Sequence, residues 1–583
     1  MRAHADPEAA ARDAADLARA LLADGRPEQA HAALAAVDEA ALGERPLAQV
    51  LLARMATLNF GLGRTDAADA VFRDARRRVR DPEPVAALVA EHAWHLAMRG
   101  ECRRALDVLG PAPGPSSHPT AHPTAVAARA IALTQLGHCR RAAALCDAAL
   151  GGSPPPEARR ALESARHLAL VLSGEIARPR IAVRALPEQR NGSRGDAVRG
   201  GPVRGGSAHG GSVPVGSGRA NGGRADAASV RRTGGRRTDG GDVHPGDAHA
   251  GDAHADSAHA DGGHADGGGS GGGRRNGDGP DGGDVASRAL RALSLAQAAR
   301  LGGEIGRAIR LIHEAASRAA LGGAVAGELA HLAALRGDLA EAEEALAAGR
   351  RAVSPATRLV GFWLEVARPW VTALRLGPAV AAADALAVAG QARAAGLHGF
   401  ELLALHDVVR LAPPGSLPAR RAAARLAAIA TVYEGDLAAV AAAHARAAAD
   451  ADPAALTAAS RDLECLGMPL HSAEAAAQAA GALAAAGRDV QARAASARAW
   501  YLAARCDGVR TPALADVREP RLTNREGQVA RLAADGLTSK QIAARLTMSV
   551  RTVDNHLRAV YTKLGIRGRA ELARVGVLPR SGR

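Results

Sequence analysis

Glycine recurs along the first 150 residues at a fixed interval, and that interval constrains the fold more than any other feature of the chain. Gly25-Arg-Pro-Glu-Gln-Ala30, Gly63-Arg-Thr-Asp-Ala-Ala68, Gly100-Glu-Cys-Arg-Arg-Ala105 and Gly137-His-Cys-Arg-Arg-Ala142 each place alanine five residues after glycine, and the glycines stand 38, 37 and 37 residues apart. Leucine- or alanine-rich helical patterns flank each turn, such as 17–23 before and 30–37 after the first. Glycine ends a helix in the left-handed conformation without a Cβ penalty, and the small alanine lets the next helix pack closely. Each unit therefore reads as a helical hairpin. The signature returns in Gly337-Asp-Leu-Ala-Glu-Ala342, Gly377-Pro-Ala-Val-Ala-Ala382 and Gly487-Arg-Asp-Val-Gln-Ala492, and more weakly in Gly435-Asp-Leu-Ala438. Segments 401–410 and 451–478 read as further helices between these turns.

Hairpins of this period stack into a solenoid and resemble tetratricopeptide repeats with longer loops. Composition agrees: aromatic residues are 2% of the chain and alanine is abundant, which favours helix nearly everywhere. At 583 residues the chain exceeds one core. The expected architecture is all-α: helical repeats over 1–180, a low-complexity linker over 187–285, more repeats over 286–510, and a helical unit over 518–577. The linker is dominated by Gly, Ser, Asp, Arg and His and lacks the apolar surface to offset chain entropy, so it is expected to be disordered.

Within that linker His244, His249, His254, His259 and His264 recur every five residues, between Asp242, Asp247, Asp252, Asp256, Asp261 and Asp266. Such groups can hold Zn²⁺ or Ni²⁺ weakly, but a flexible five-residue period presets no tetrahedral geometry. The run reads as a slipped coding repeat, and no metal or other cofactor is expected. Five cysteines (Cys102, Cys139, Cys146, Cys465, Cys506) are odd in number and form no CxxC. They read as free buried thiols of a reducing cytoplasm. No apolar run suits a signal peptide or a membrane span. His92 and His95, beside Trp94, read as ordinary helix-face residues.

The last seventy residues carry the functional signal. Thr523 with Glu526, and Thr538 with Gln541, are capping boxes; Ser549 caps a third helix that Gly565 ends. On that helix Val550, Val553, Leu557, Val560 and Leu564 form one apolar stripe, expected to pack on the two preceding helices. Arg551, Asp554, Asn555, Arg558 and Thr562 face outward. They offer a guanidinium for guanine or phosphate, an amide for adenine and a carboxylate for a cytosine amino group. Asp554 needs a base or a partner such as Arg551 or Arg558 to tolerate nearby phosphates. Residues 518–583 hold 14 Lys+Arg against 5 Asp+Glu, and the chain's only lysines, Lys540 and Lys563, lie here. Positive charge on a small helix-turn-helix is the footprint of a unit that lays a helix in the major groove of double-stranded DNA.

At residues 522–573 the pattern L-T-x-R-E-x-x-V, G-x-x-x-K-x-I-A-x-x-L, S-x-x-T-V-x-x-H and K-L-G resembles the four-helix DNA-binding domain of the LuxR/FixJ family of bacterial regulators. The resemblance implies that Asp554, Asn555 and Arg558 read bases, and that Thr552, His556 and Lys563 contact phosphate or support packing. With Lys540 and Arg551 these are the candidate DNA-contacting residues. It also implies that a last helix over 569–575 joins two copies on an inverted repeat. Four positions depart from the family's usual residues: Asn524 for proline at the first helical position, Gly527 within the first helix, Thr547 in a turn where glycine is common, and Gly568 for a capping Ser or Asn. The run from Leu463-Glu-Cys-Leu-Gly467 through 473–480 is similar to the C-terminal half of large actinobacterial LuxR-type regulators. Those usually carry an ATP-binding domain. The phosphate loop G-x-x-x-x-G-K-[ST] needs a lysine, and none precedes Lys540, so neither that loop nor a phosphate-accepting receiver domain is expected.

The sequence thus points to a cytoplasmic, non-enzymatic transcription regulator. It would act as a homodimer on DNA, with a protein or small-molecule effector on its helical repeats. The alternative is a helical-repeat interaction scaffold whose helix-turn-helix does not read bases.

Overall fold

The structure, a computed structural model, describes residues 6–111, 122–152, 154–175, 282–316 and 322–572. The linker reading for 187–281, with its His/Asp run, lies outside those residues. So does the end of the last helix expected over 569–575. A helix already begins at Gly282, inside the segment expected to be linker.

Among the described residues there are 25 α-helices and no strand. The first stretch holds α1 (Pro7–Ala23), α2 (Pro27–Ala35), α3 (Glu44–Ala56), α4 (Thr65–Arg78), α5 (Pro82–Met98), α6 (Cys102–Leu109), α7 (Pro123–Gln135), α8 (Cys139–Gly151) and α9 (Pro156–Ser173). The second holds α10 (Gly282–Leu301), α11 (Ile305–Ala316), α12 (Gly322–Arg336), α13 (Leu339–Ala352), α14 (Arg358–Leu376), α15 (Pro378–Ala394), α16 (His398–Leu411), α17 (Leu417–Ala430), α18 (Asp436–Ala449), α19 (Pro453–Cys465), α20 (Pro469–Ala485) and α21 (Asp489–Ala503). Four short helices follow: α22 (Asn524–Ala534), α23 (Ser539–Leu546), α24 (Val550–Leu564) and α25 (Arg569–Leu572).

The hairpin reading describes the first stretch well. Gly25, Gly63, Gly100 and Gly137 all have φ between +63° and +94°. The alanines five residues on, Ala30, Ala68, Ala105 and Ala142, are fully buried. A larger side chain there would push the paired helices apart. Gly174 (φ +96°) extends the series by one more 37-residue step, a member the sequence reading missed. Gly435 differs: it approaches the end of α9 so closely that an added Cβ would overlap the Ser173 carbonyl oxygen.

Alternate helices α1, α3, α5, α7, α9, α10, α12 and α14 pack side by side in one row, which runs from α9 directly to α10. Both helical stretches belong to one compact unit, together with the four C-terminal helices. The row then folds back on itself, for α14, α16 and α18 pack against α5, α7 and α9. The turn tips carry the seam. Leu397 lies against Gly100, the Glu434 amide donates to the Gly137 carbonyl at 2.7 Å, and Leu437 lies against Gly174. Arg140 pairs with Asp436 at 3.1 Å. One apolar core therefore runs from Leu96 to Cys506, in which α5, α7 and α9 are covered by helices of the second stretch.

The second helical stretch also buries charge in its own interior. Arg410 donates to Glu474 at 2.6 Å and to Asp407 at 2.7 Å, with its guanidinium 4.3 Å from the Trp370 ring. Arg300 donates to Glu328 at 2.6 Å. His406, His444 and Gln478 form a chain at 3.1 and 2.8 Å. Burial pushes His444 down to about 4 and His331, His406 and His471 well below the usual histidine range, so these rings are neutral at pH 7. His92 and His95 likewise lie inside rather than on an open helix face. His92 stacks on Phe72, and His95 bonds Glu91 at 3.1 Å. Of the five thiols, Cys465 is exposed on α19, which corrects the expectation that all are buried. No helix among the described residues is long and apolar enough to cross a membrane.

Candidate nucleic-acid interface

Local sequence fixes the start of the first three helices in the C-terminal unit. The Thr523 amide donates to Glu526 Oε2 at 2.8 Å while the Glu526 amide donates to Thr523 Oγ1 at 3.3 Å. Thr538 and Gln541 make the same reciprocal pair at 2.8 and 3.3 Å. The Thr552 amide donates to Ser549 Oγ at 3.0 Å, starting α24, and Gly565 ends it in the left-handed region (φ +63°). Such caps satisfy amides that the helix leaves without partners. Thr547, the β-branched residue in the turn, adopts φ +53°.

The apolar stripe of α24 packs as its spacing requires, with one exception. Val553, Leu557, Val560 and Leu564 are buried against Val529, Ala530, Ala533, Ile542 and Ala543 of α22 and α23. Val550, in the first turn, is 43% exposed. The first turn of α24 therefore reaches past the helices beneath it.

Arg551, Thr552, Asp554, Asn555, Arg558 and Thr562 are exposed together along α24. Lys540 is exposed on α23. Arg558 Nη1 donates to Asn555 Oδ1 at 3.3 Å. Among the described residues Asp554 makes no ion pair, so neither arginine neutralises it. His556 is half-buried. Lys563 instead donates to Glu526 Oε2 at 2.7 Å, tying the end of α24 to the cap of α22. Burial works against the Glu526 charge, but its bonds to Lys563 and Thr523 hold the carboxyl below the usual range.

Sequence reasoning did not foresee that the repeat body grips this unit. Tyr501 and Leu502 of α21 join the core formed by α22–α24. Gly565 lies so close to α21 that an added Cβ would overlap the Arg498 backbone nitrogen. Arg498 also pairs with Glu464 and reaches Glu571 of α25 at 3.5 Å. The outward residues of α24 are the part of the helix that α21, α22 and α23 leave uncovered.

Residues 520–575 match the model of the family described as bacterial regulatory proteins, luxR family. The spore germination protein GerE of Bacillus subtilis is 42% identical over 64 residues, which is 10% of this chain and 86% of that protein. The chain belongs to the luxR family of bacterial regulatory proteins. A putative HTH-type transcriptional regulator of Mycobacterium tuberculosis is 51% identical over 51 residues, 9% of this chain and 6% of that protein. The transcriptional regulatory protein UhpA of Escherichia coli is 46% identical over 61 residues, 10% of this chain and 31% of that protein. The chain thus spans only a small part of the longer relatives, and the family match lies over the helix-turn-helix.

Proposed function

We propose that the chain is a cytoplasmic, sequence-specific DNA-binding transcription regulator that works by binding rather than catalysis. The observation that carries this reading is the run of unburied polar side chains on α24, held on a helix whose opposite face is packed from Val553 to Leu564. Arg551, Asp554, Asn555 and Arg558 face base edges in the major groove, where guanidinium and amide pairs discriminate between bases. Lys540, Thr552 and His556 flank them toward the phosphates, which supply affinity that falls steeply with salt. Lys563 acts as a positioning residue through Glu526. Two copies would bind an inverted repeat.

Selection of duplexes from random sequence by the full chain, followed by gel shifts at two salt concentrations, tests the reading. A recovered consensus whose affinity drops with salt supports it. Recovery of no consensus, with equal retention of heparin, leaves an interaction scaffold.

A further inference from the structure

A cleft of about 430 Å³ lies between the repeat body and the C-terminal end of α24. That is within the roughly 300–1,000 Å³ of small-molecule sites. Its floor is apolar, formed by Ala476, Leu483, Ala495 and Ile566, with Tyr561 along one wall. Four guanidiniums line it, those of Arg461, Arg488, Arg498 and Arg567, and no carboxylate does. Arg498 is neutralised by Glu464 and Glu571 just outside. Arg461, Arg488 and Arg567 make no ion pair among the described residues; Arg488 only donates to Gln491 at 2.7 Å. Three cations without ion pairs surround an apolar floor, next to Thr562 at the far end of the outward face of α24; such a set suits an anion with an apolar body.

The rest of the body argues for the same place. Along α5, α7 and α9 the row is already covered by α14, α16 and α18. The cleft, by contrast, touches both the repeats and the helix-turn-helix.

We propose that this cleft binds a small amphipathic anion, a carboxylate or phosphate ester on an apolar body, with the anionic group at Arg461, Arg488 and Arg567. An occupant touches α19–α21 and α24 together, so it couples to how the helix-turn-helix is held. By linkage, a ligand that changes duplex affinity is itself bound more or less tightly when the duplex is present, by the same factor. The coupling rests on the function proposed above; the binding does not.

The test uses the full chain without DNA and 1-anilinonaphthalene-8-sulfonate, a fluorescent aromatic anion, as the probe. One saturable site per chain is expected. Binding should weaken at least tenfold in Ala495→Trp, which fills the cleft, and in Arg461→Gln/Arg488→Gln, which removes no ion pair. Circular dichroism and thermal melts show that each variant is folded. Displacement by decanoate or by 1-naphthyl phosphate tells which anionic group is preferred. Absence of a saturable site, several equal sites, or binding unchanged in either folded variant overturns the site. A second arm measures affinity for a selected duplex with and without saturating probe. A threefold or larger change, absent in Ala495→Trp, supports coupling; no change overturns the coupling alone. Failure to bind any duplex selectively would count against the proposed function and leave the cleft intact.

Discussion

The repeat body and the C-terminal unit treat charge in opposite ways. In the body, ionised groups are buried in closed sets: Arg410 with Glu474 and Asp407, Arg300 with Glu328, and Arg99 with Asp69 at 2.6 Å. On α24, Arg551, Asp554 and Arg558 stand in solvent with no ion pair among the described residues. Burying a charge is tolerable only when its partner is buried with it, so the body's charges define how its helices fit together. Charges left outward on a packed helix do nothing for the fold. Their counter-charges must come from another molecule.

The contrast is broken most severely at Arg410. Arg410→Ala leaves Glu474 and Asp407 buried without their cation, and the expected loss is about 3–5 kcal/mol of stability. Denaturant unfolding of the full chain reads this directly; a loss below about 1 kcal/mol would mean that the carboxyls take up protons cheaply.

Acid probes the interior at several residues at once, each with a smaller effect. His92, His167 and His444 are pushed down to about 4 by burial. A histidine whose folded value is depressed contributes full stability above the unfolded value of about 6.5 and loses it as pH falls toward the folded value. From pH 7 to pH 5 each should cost on the order of 2 kcal/mol. The melting temperature should therefore drop across that range, and a flat profile would show that these rings are not neutral and enclosed.

The outward charges should behave otherwise. Arg558→Ala or Asn555→Ala is expected to leave the melting temperature unchanged and to cost about 1–3 kcal/mol of binding at the selected duplex. Equal loss on random duplex would assign these side chains to phosphate instead of bases.

The smallest effects concern the two family departures that touch backbone. Gly527 is mid-helix, and an added Cβ would meet only the Arg531 guanidinium at 3.7 Å, so Gly527→Ala should stabilise the unit by roughly 0.5–1 kcal/mol. Thr547→Gly should gain a similar amount by relieving the left-handed strain. Neither should alter DNA selectivity.

What was legible in the sequence was whatever is decided within a few residues. The capping boxes at Thr523 and Thr538 and the glycine turns at 37-residue spacing are contacts between near neighbours, so spacing alone announces them. Val550 was misplaced because a periodic stripe does not say where the underlying helices stop. The seam between the halves joins residues nearly 300 apart, as in the Glu434–Gly137 bond. Nothing local in Tyr433 marks it as a partner of Cys139, and nothing local in Arg410 or Arg498 points to Glu474 or Glu571, 64 and 73 residues on. The cleft was invisible for the same reason: its arginines come from α19, the turn before α21, α21 itself and the segment after α24.

The most direct measurement is the ratio of affinities of the full chain for its selected duplex and for a scrambled duplex of equal length, at one physiological salt concentration. If the uncovered face of α24 reads base edges, the ratio should be about 10³ or larger. A ratio near one would contradict the account at its centre.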